Sequence, residues 1–152
     1  MSFLKDLYDA NLGDFESEYK VGIRYLHGIG IDKNEEKAFN YFNRSAYQGY
    51  VKAQISLAWM YYDGIYVDQN ICKSFIRFKV AADDEDNGRA QMMVGLMYEY
   101  GEGEKLNLEK ALKYYKRAAK NKNSDALEKL KYYKHAAKNK NSDALEKLND
   151  II

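Results

Sequence analysis

Apolar and small residues recur along the chain at helical spacing, three times over and in the same order. The segments run from Val21 to Ala46, from Leu57 to Ala82 and from Val94 to Ala119, offset by 36 and then 37 residues. In each, an aliphatic residue, a small residue and a tyrosine stand at i, i+1 and i+4: Val21-Gly22-Tyr25, Leu57-Ala58-Tyr61 and Val94-Gly95-Tyr98. That spacing places them on one stripe of a 3.6-residue period. The small residue lets a neighbouring helix approach closely. Three residues after the tyrosine come Gly28, Gly64 and Gly101, where a glycine ends a helix by taking the left-handed conformation without strain. Asn34, Asn70 and Asn107 follow, each placed to cap a second helix, with Glu35, Glu36 and Glu109 suited to its first turn. The register continues through Lys37/Lys73/Lys110, Ala38/Ser74/Ala111, Phe42/Phe78/Tyr115 and Ala46/Ala82/Ala119. Each unit therefore reads as helix, turn, helix, and the whole as an all-α repeat array, an α/α solenoid.

Composition agrees with that reading. The chain has 152 residues, 46% hydrophobic and 31% charged, a globular balance and enough for one ordinary domain. Proline is absent, where about 5% is usual, so no position is closed to a helix. No apolar run approaches the roughly 18 residues of a membrane span; the longest lies around Ile55 to Tyr62. Asp6 and Asp9 interrupt what would have to be the apolar core of a signal peptide. Cys72 is the single cysteine and cannot form an internal disulfide, which suits a reducing compartment. These features predict a cytoplasmic protein without leader or anchor. Net charge is +1, but residues 1–104 hold 11 Lys/Arg against 17 Asp/Glu, net −6, and residues 105–152 hold 13 against 6, net +7. A basic end of this kind could meet an acidic partner, although lysines scattered along helices more commonly make a solvated face.

The same residues resemble a known family. Val21-Gly22, Tyr25, Gly28, Gly30, Ile31, Lys37-Ala38, Tyr41-Phe42 and Arg44-Ser45-Ala46 resemble the Sel-one-like repeat, a relative of the tetratricopeptide repeat. The resemblance covers about residues 15–125. The second unit departs from it at Ala58, Tyr66 and Arg77, and the third at Glu104 to Leu106. It implies a right-handed α/α superhelix of about three helix-turn-helix repeats, serving as a protein-interaction scaffold without chemistry of its own. The division that follows is an N-terminal helix in 1–13, repeats in 14–50, 51–86 and 87–122, and irregular capping helices in 123–152.

The C-terminal part is a near-copy of itself. Residues 113–130 and 131–148 match at 17 of 18 positions, differing only at Arg117 and His135. Eighteen residues are half a repeat, so the copy adds one helix and its turn. Asp125 with Glu128, and Asp143 with Glu146, fit capping boxes, which predicts helices near 126–139 and 143–151. Terminal repeats of solenoids are commonly atypical because one side faces water.

No set of residues stands at the spacing that catalysis or cofactor binding needs. His27 falls at a helix end, where an imidazolium suits the macrodipole, and His135 sits at the Arg117 position of the copy. Cys72, beside the repeat lysine Lys73, reads as a small packed side chain. No Cys/His set has zinc spacing. Gly28-Ile29-Gly30 and Gly101-Glu102-Gly103 open like phosphate loops, but the third glycine is replaced by Lys33 and Leu106 and no strand precedes them. Asp83, Glu85, Asn87 and Gly88 open like a calcium loop whose twelfth position is Val94, not a glutamate. No cofactor, metal or small-molecule substrate is expected.

The expected partner is another protein. In tetratricopeptide repeats the first helices line a concave groove, and the resemblance transfers the groove-facing positions to Tyr19, Ile23 and Leu26, then Ile55, Trp59 and Tyr62, then Met92, Leu96 and Glu99. Each set is spaced i, i+4, i+7, one stripe distinct from that of Tyr25, Tyr61 and Tyr98. A first helix apolar on two faces needs a cover for the second. A peptide or helix of a partner would supply it, with Trp59 and Tyr62 as anchors and Arg24, Lys52 and Arg89 as rim charges. The competing cover is the chain's own Phe3, Leu4, Leu7 and Tyr8, folded back into the groove. Two alternatives stand beside the scaffold reading. One is an immunity or antitoxin protein that neutralises a toxin. The other is nucleic-acid binding by the basic C-terminal helices, against which stands the near-absence of arginine there.

Overall fold

The computed structural model describes residues 2–84 and 86–139. Among them eight helices follow one another without a strand: α1 (Phe3–Asn11), α2 (Phe15–His27), α3 (Glu35–Tyr47), α4 (Val51–Asp63), α5 (Ile71–Ala82), α6 (Gly88–Tyr100), α7 (Leu108–Lys120) and α8 (Ser124–Asn139). Their ends are set locally, as the repeat pattern predicts. Asn34, Asn70 and Asn107 each accept a backbone N–H bond through Oδ1, from Lys37 at 2.9 Å, Lys73 at 2.9 Å and Lys110 at 3.0 Å. Gly28, Gly64 and Gly101 close α2, α4 and α6 in the left-handed conformation, at φ 68°, 69° and 68°. Two residues later Gly30 and Gly103 take positive φ again, and Tyr66 does so in the second unit at φ 64°. A β-carbon is costly in that region; the Tyr66 ring lies against Phe39, 5.5 Å between centroids.

The helices fall into two compact units, Met1–Arg77 and Phe78–Ile152, divided within α5. In the first, α1 packs on α2, α2 on α3 and α3 on α4. Gly22 lets the Phe42 ring lie on the backbone of α2: a β-carbon there would stand 2.6 Å from Phe42 Cε1. Val21, Ala38, Phe42, Ala53 and Leu57 have no exposed surface. Phe3 meets Tyr25 edge-on at 5.8 Å, as Phe39 meets Tyr61 at 5.9 Å, so α1 stands toward α2 as the second helix of a repeat stands toward the next first helix. Arg44 Nη2 donates to the Ala10 carbonyl at 3.1 Å and pairs with Glu18 at 2.8 Å.

In the second unit α6 packs on α7 and α7 on α8. Gly95 serves Tyr115 as Gly22 serves Phe42. Arg117 Nη2 donates to the Ala82 carbonyl at 2.7 Å, the counterpart of the Arg44–Ala10 bond. Gln91 donates to the Ala82 and Asp84 carbonyls at 3.4 and 3.2 Å and accepts from Asn121 at 2.8 Å. Gln54 does the same for the Ala46 carbonyl of the first unit.

Two expectations are corrected here. Helix α8 begins at Ser124, and its cap is Asn123, whose Oδ1 accepts the Ala126 N–H at 3.0 Å; the asparagine two residues before Asp125 captures the helix end first. Cys72 is exposed, because the second position of α5 points away from the stripe that packs. Residues 3–8, the competing cover, belong to α1, whose Asp6 lines a groove with Tyr19 and Ile23 of α2. Phe3 and Leu7 pack on the core of the first unit, while Leu4 and Tyr8 are 74% and 65% exposed. The helix expected near 143–151 lies outside the described residues.

Candidate functional site

The first helix of each repeat buries one stripe and leaves a second partly open. On the buried stripe Tyr25 and Tyr98 are almost fully enclosed, and Tyr61 is half-buried. Each of the three rings is covered by the lysine that recurs in the next helix: Lys37, Lys73 and Lys110 hold Nζ 5.3, 5.4 and 5.4 Å from the centroids of Tyr25, Tyr61 and Tyr98. The recurrence of that lysine is visible in the sequence; its pairing with the tyrosine twelve residues earlier is not.

The second stripe carries the residues expected to meet a partner. Tyr19, Ile23 and Leu26 on α2 and Ile55, Trp59 and Tyr62 on α4 are all half-buried. Tyr19 packs on Phe42 and Tyr50, at 5.8 and 5.3 Å between centroids, and Trp59 meets Tyr62 edge-on at 5.6 Å. Tyr19 and Ile23 also line a groove of about 490 Å³, shared with Asp6 of α1, Lys20, Arg24 and Ile29. Arg24, one of the expected rim charges, has its Nε 3.0 Å from Asp6 Oδ2, and its guanidinium lies over the Phe3 ring. Lys52 and Arg89 are exposed.

In the second unit the stripe is Met92, Leu96 and Glu99 on α6. Leu96 is half-buried and Met92 only 8% exposed. Met92 forms part of a groove of about 560 Å³ with Asp125, Glu128, Lys129 and Tyr132 of α8. Glu99, the polar member, is a hub. Its carboxylate accepts from the hydroxyl of Tyr115, from that of Tyr133 at 2.6 Å and from Lys129 Nζ at 3.0 Å, while Lys129 also reaches the Tyr100 hydroxyl at 3.4 Å. Burial alone would raise the Glu99 carboxyl, but the three donors outweigh it and hold it below the usual range. Burial and the bond to Glu99 push both Tyr115 and Tyr133 upward. Burial works against the charge of Lys129, and its bonds to Glu99 and Tyr100 more than restore it. This is a neutralised, fully engaged cluster that fastens α8 to α6, without a free acid, base or nucleophile. Sequence reasoning placed Glu99 on the stripe and missed its partners. The available signal was that Tyr115 and Tyr133 are the same residue of the 18-residue copy.

No helix among the described residues is long and apolar enough to cross a membrane. A profile of the Sel1 repeat matches residues 15–50, 51–83 and 88–123. Over 133 residues the chain is 29% identical to an exopolysaccharide production negative regulator of Rhizobium meliloti, covering 79% of this chain and 50% of that protein. Over 95 residues it is 30% identical to chitin synthase regulatory factor 2 of Schizosaccharomyces pombe, covering 60% and 19%. The chain thus spans half or less of these relatives. Among solved structures, a Sel1 repeat protein of Oxalobacter formigenes superposes with a TM-score of 0.78 at 30% identity, over 84% of this chain and 96% of that one. A protective antigen of uropathogenic Escherichia coli with the same fold superposes with a TM-score of 0.84 at 26% identity, over 90% and 29%. Three consecutive repeats, matched in sequence and in backbone, place the chain in the Sel1 repeat family, an all-α class of helix-turn-helix solenoids associated with protein–protein interaction.

Proposed function

We propose that the chain is a non-catalytic adaptor whose first-helix face binds a peptide or helix of a partner protein. The observation that carries the reading is the second apolar stripe. In the first unit Tyr19, Ile23, Leu26, Ile55, Trp59 and Tyr62 keep part of their surface in water, and Tyr19 and Ile23 line an open groove beside Asp6 of α1. Trp and Tyr dominate binding hot spots, and the Trp59–Tyr62 pair offers two rings already held against each other. Met92 and Leu96 extend the assignment to the same positions of the second unit. Two relatives named as regulators suit an adaptor, which acts by bringing other proteins together. The assignment of the chain to the cytoplasm belongs to the same reading.

The test is a pull-down from the native cell with wild type beside Trp59→Ala/Tyr62→Ala, after far-UV circular dichroism shows both folded. A partner recovered by wild type and lost from the double variant supports the site, with each truncation costing about 2 kcal/mol or more. A partner retained by both moves binding off this face. A catalytic activity that survives purification to homogeneity refutes the adaptor reading.

A further inference from the structure

Helix α8 sorts its charges around the groove it shares with α6. Within Ser124–Asn139 there are two acids, Asp125 and Glu128, and four lysines, Lys129, Lys131, Lys134 and Lys138. Both acids line the groove, whereas Lys131, Lys134 and Lys138 do not. The lysine that does, Lys129, is committed to Glu99. Asp125 and Glu128 are exposed, and among the described residues neither takes part in an ion pair. The apolar lining of the groove is Met92 of α6, 8% exposed, and Tyr132 of α8, 67% exposed, its ring held edge-on by Tyr133 at 5.2 Å. Asp125, Glu128 and Tyr132 stand at i, i+3 and i+7, one face of the helix.

We propose that this groove binds a partner segment in which an aliphatic or aromatic side chain is accompanied by a lysine or arginine. The apolar side chain would rest on Met92, whose thioether adapts to varied shapes. The cation would meet Glu128 or Asp125 and the face of Tyr132, combining a charge-assisted hydrogen bond with a cation–π contact. The rest of this end is basic, with 11 Lys/Arg against 3 Asp/Glu in residues 105–139. At long range it therefore favours an acidic ligand. That field is screened beyond about 8–10 Å in physiological salt, so at contact the two groove carboxylates decide. The inference rests on the protein-binding reading above and names the chemistry of one of its sites.

The experiment selects random ten-residue peptides displayed on phage against the full chain. Affinities of a selected peptide are then compared by fluorescence anisotropy for wild type, Asp125→Asn/Glu128→Gln and Trp59→Ala/Tyr62→Ala. The expected result is enrichment of Arg or Lys beside Leu, Ile, Met or Phe. Kd should rise roughly tenfold for the amide variant and less than about twofold for the aromatic one. Both amide replacements are at exposed positions, and an unchanged melting temperature shows that they leave the fold intact. Selection of acidic peptides, absence of basic–apolar sequences, or equal binding by the amide variant overturns the inference. Basic–apolar peptides lost only from Trp59→Ala/Tyr62→Ala overturn the α8 groove and leave the protein-binding reading standing, which the pull-down tests separately.

Discussion

Replacing Gly95 by alanine tests the packing argument most directly, because two simple considerations predict opposite signs. Glycine in a helix interior costs about 1 kcal/mol relative to alanine, so an alanine on an unhindered helix would stabilise. In this protein the new methyl carbon would stand 2.5 Å from Tyr115 Cε1, 2.6 Å from Cδ1 and 3.3 Å from the Ala111 carbonyl oxygen. Tyr115 has no exposed surface and is held by its hydroxyl to Glu99, so the ring cannot swing into solvent. Overpacking costs about 1–3 kcal/mol, and weakening one hydrogen bond adds about 1 kcal/mol. Set against the propensity gain, the net loss is about 1–3 kcal/mol, a fall in melting temperature of roughly 2–4 °C per kcal/mol for a chain of this size. Thermal melts and urea titrations by circular dichroism measure it; a lower midpoint with an unchanged slope is the expected signature. In a Tyr115→Leu background the same alanine should cost less, since the atoms it strikes are gone. Melting of Gly95→Ala at or above the wild-type temperature would refute the reasoning.

Other consequences can be checked in the same assays. Glu99→Gln should destabilise by about 1–3 kcal/mol near neutral pH. Because the folded carboxyl titrates below its usual range, the wild-type advantage is present above about pH 4 and should fade as pH falls through the folded value. Lys129, Tyr115 and Tyr133 are shifted upward, so the stability they contribute is full below about pH 10 and should be lost as pH rises through their folded values; melts that are flat with pH at both ends would contradict this. Ser74→Ala should stabilise by about 1 kcal/mol, since the Ser74 hydroxyl is buried without a hydrogen-bond partner among the described residues where the other two repeats carry alanine; a lower midpoint in urea would contradict this. Lys110→Met should cost about 0.5–1 kcal/mol through loss of the cation over Tyr98; an unchanged midpoint would reduce that contact to proximity.

Much of this architecture could be read from the chain because its signals are local. Asn34, Asn70 and Asn107 need only the next three residues to cap a helix, and Gly28, Gly64 and Gly101 need only their own backbone. The small residues Gly22 and Gly95 were legible as points of close approach, although the rings they admit lie 20 residues on. What escaped depends on distant partners. The ion pair of Arg24 was not legible because Asp6, which holds it, is 18 positions away. Glu99 looked like one more groove position because its donors come from two other helices. The start of α8 was misplaced for a different reason: Asp125 and Glu128 match a capping box, but Asn123 competes for the same helix end and lies nearer to it. Cys72 stands beside the packed stripe, and helical spacing alone does not separate such a neighbour from a member of it.

The tetrapeptide Lys-Tyr-Tyr-Lys occurs at 113–116 in α7 and again at 131–134 in α8, and its two occurrences play different parts. Tyr115 is fully enclosed where Tyr133 is half-covered, and Tyr114 stacks on Tyr98 where Tyr132 stands in water. Copying half a period has shifted the phase, so a phrase written for the second helix of a repeat is spoken by the helix that follows it. Because that phrase carries a hydroxyl on a ring of the right length, Tyr133 reaches the same carboxylate that Tyr115 already holds. An array built this way can lengthen by one helix at a time, with the older helix supplying the acceptor on which the newcomer is moored.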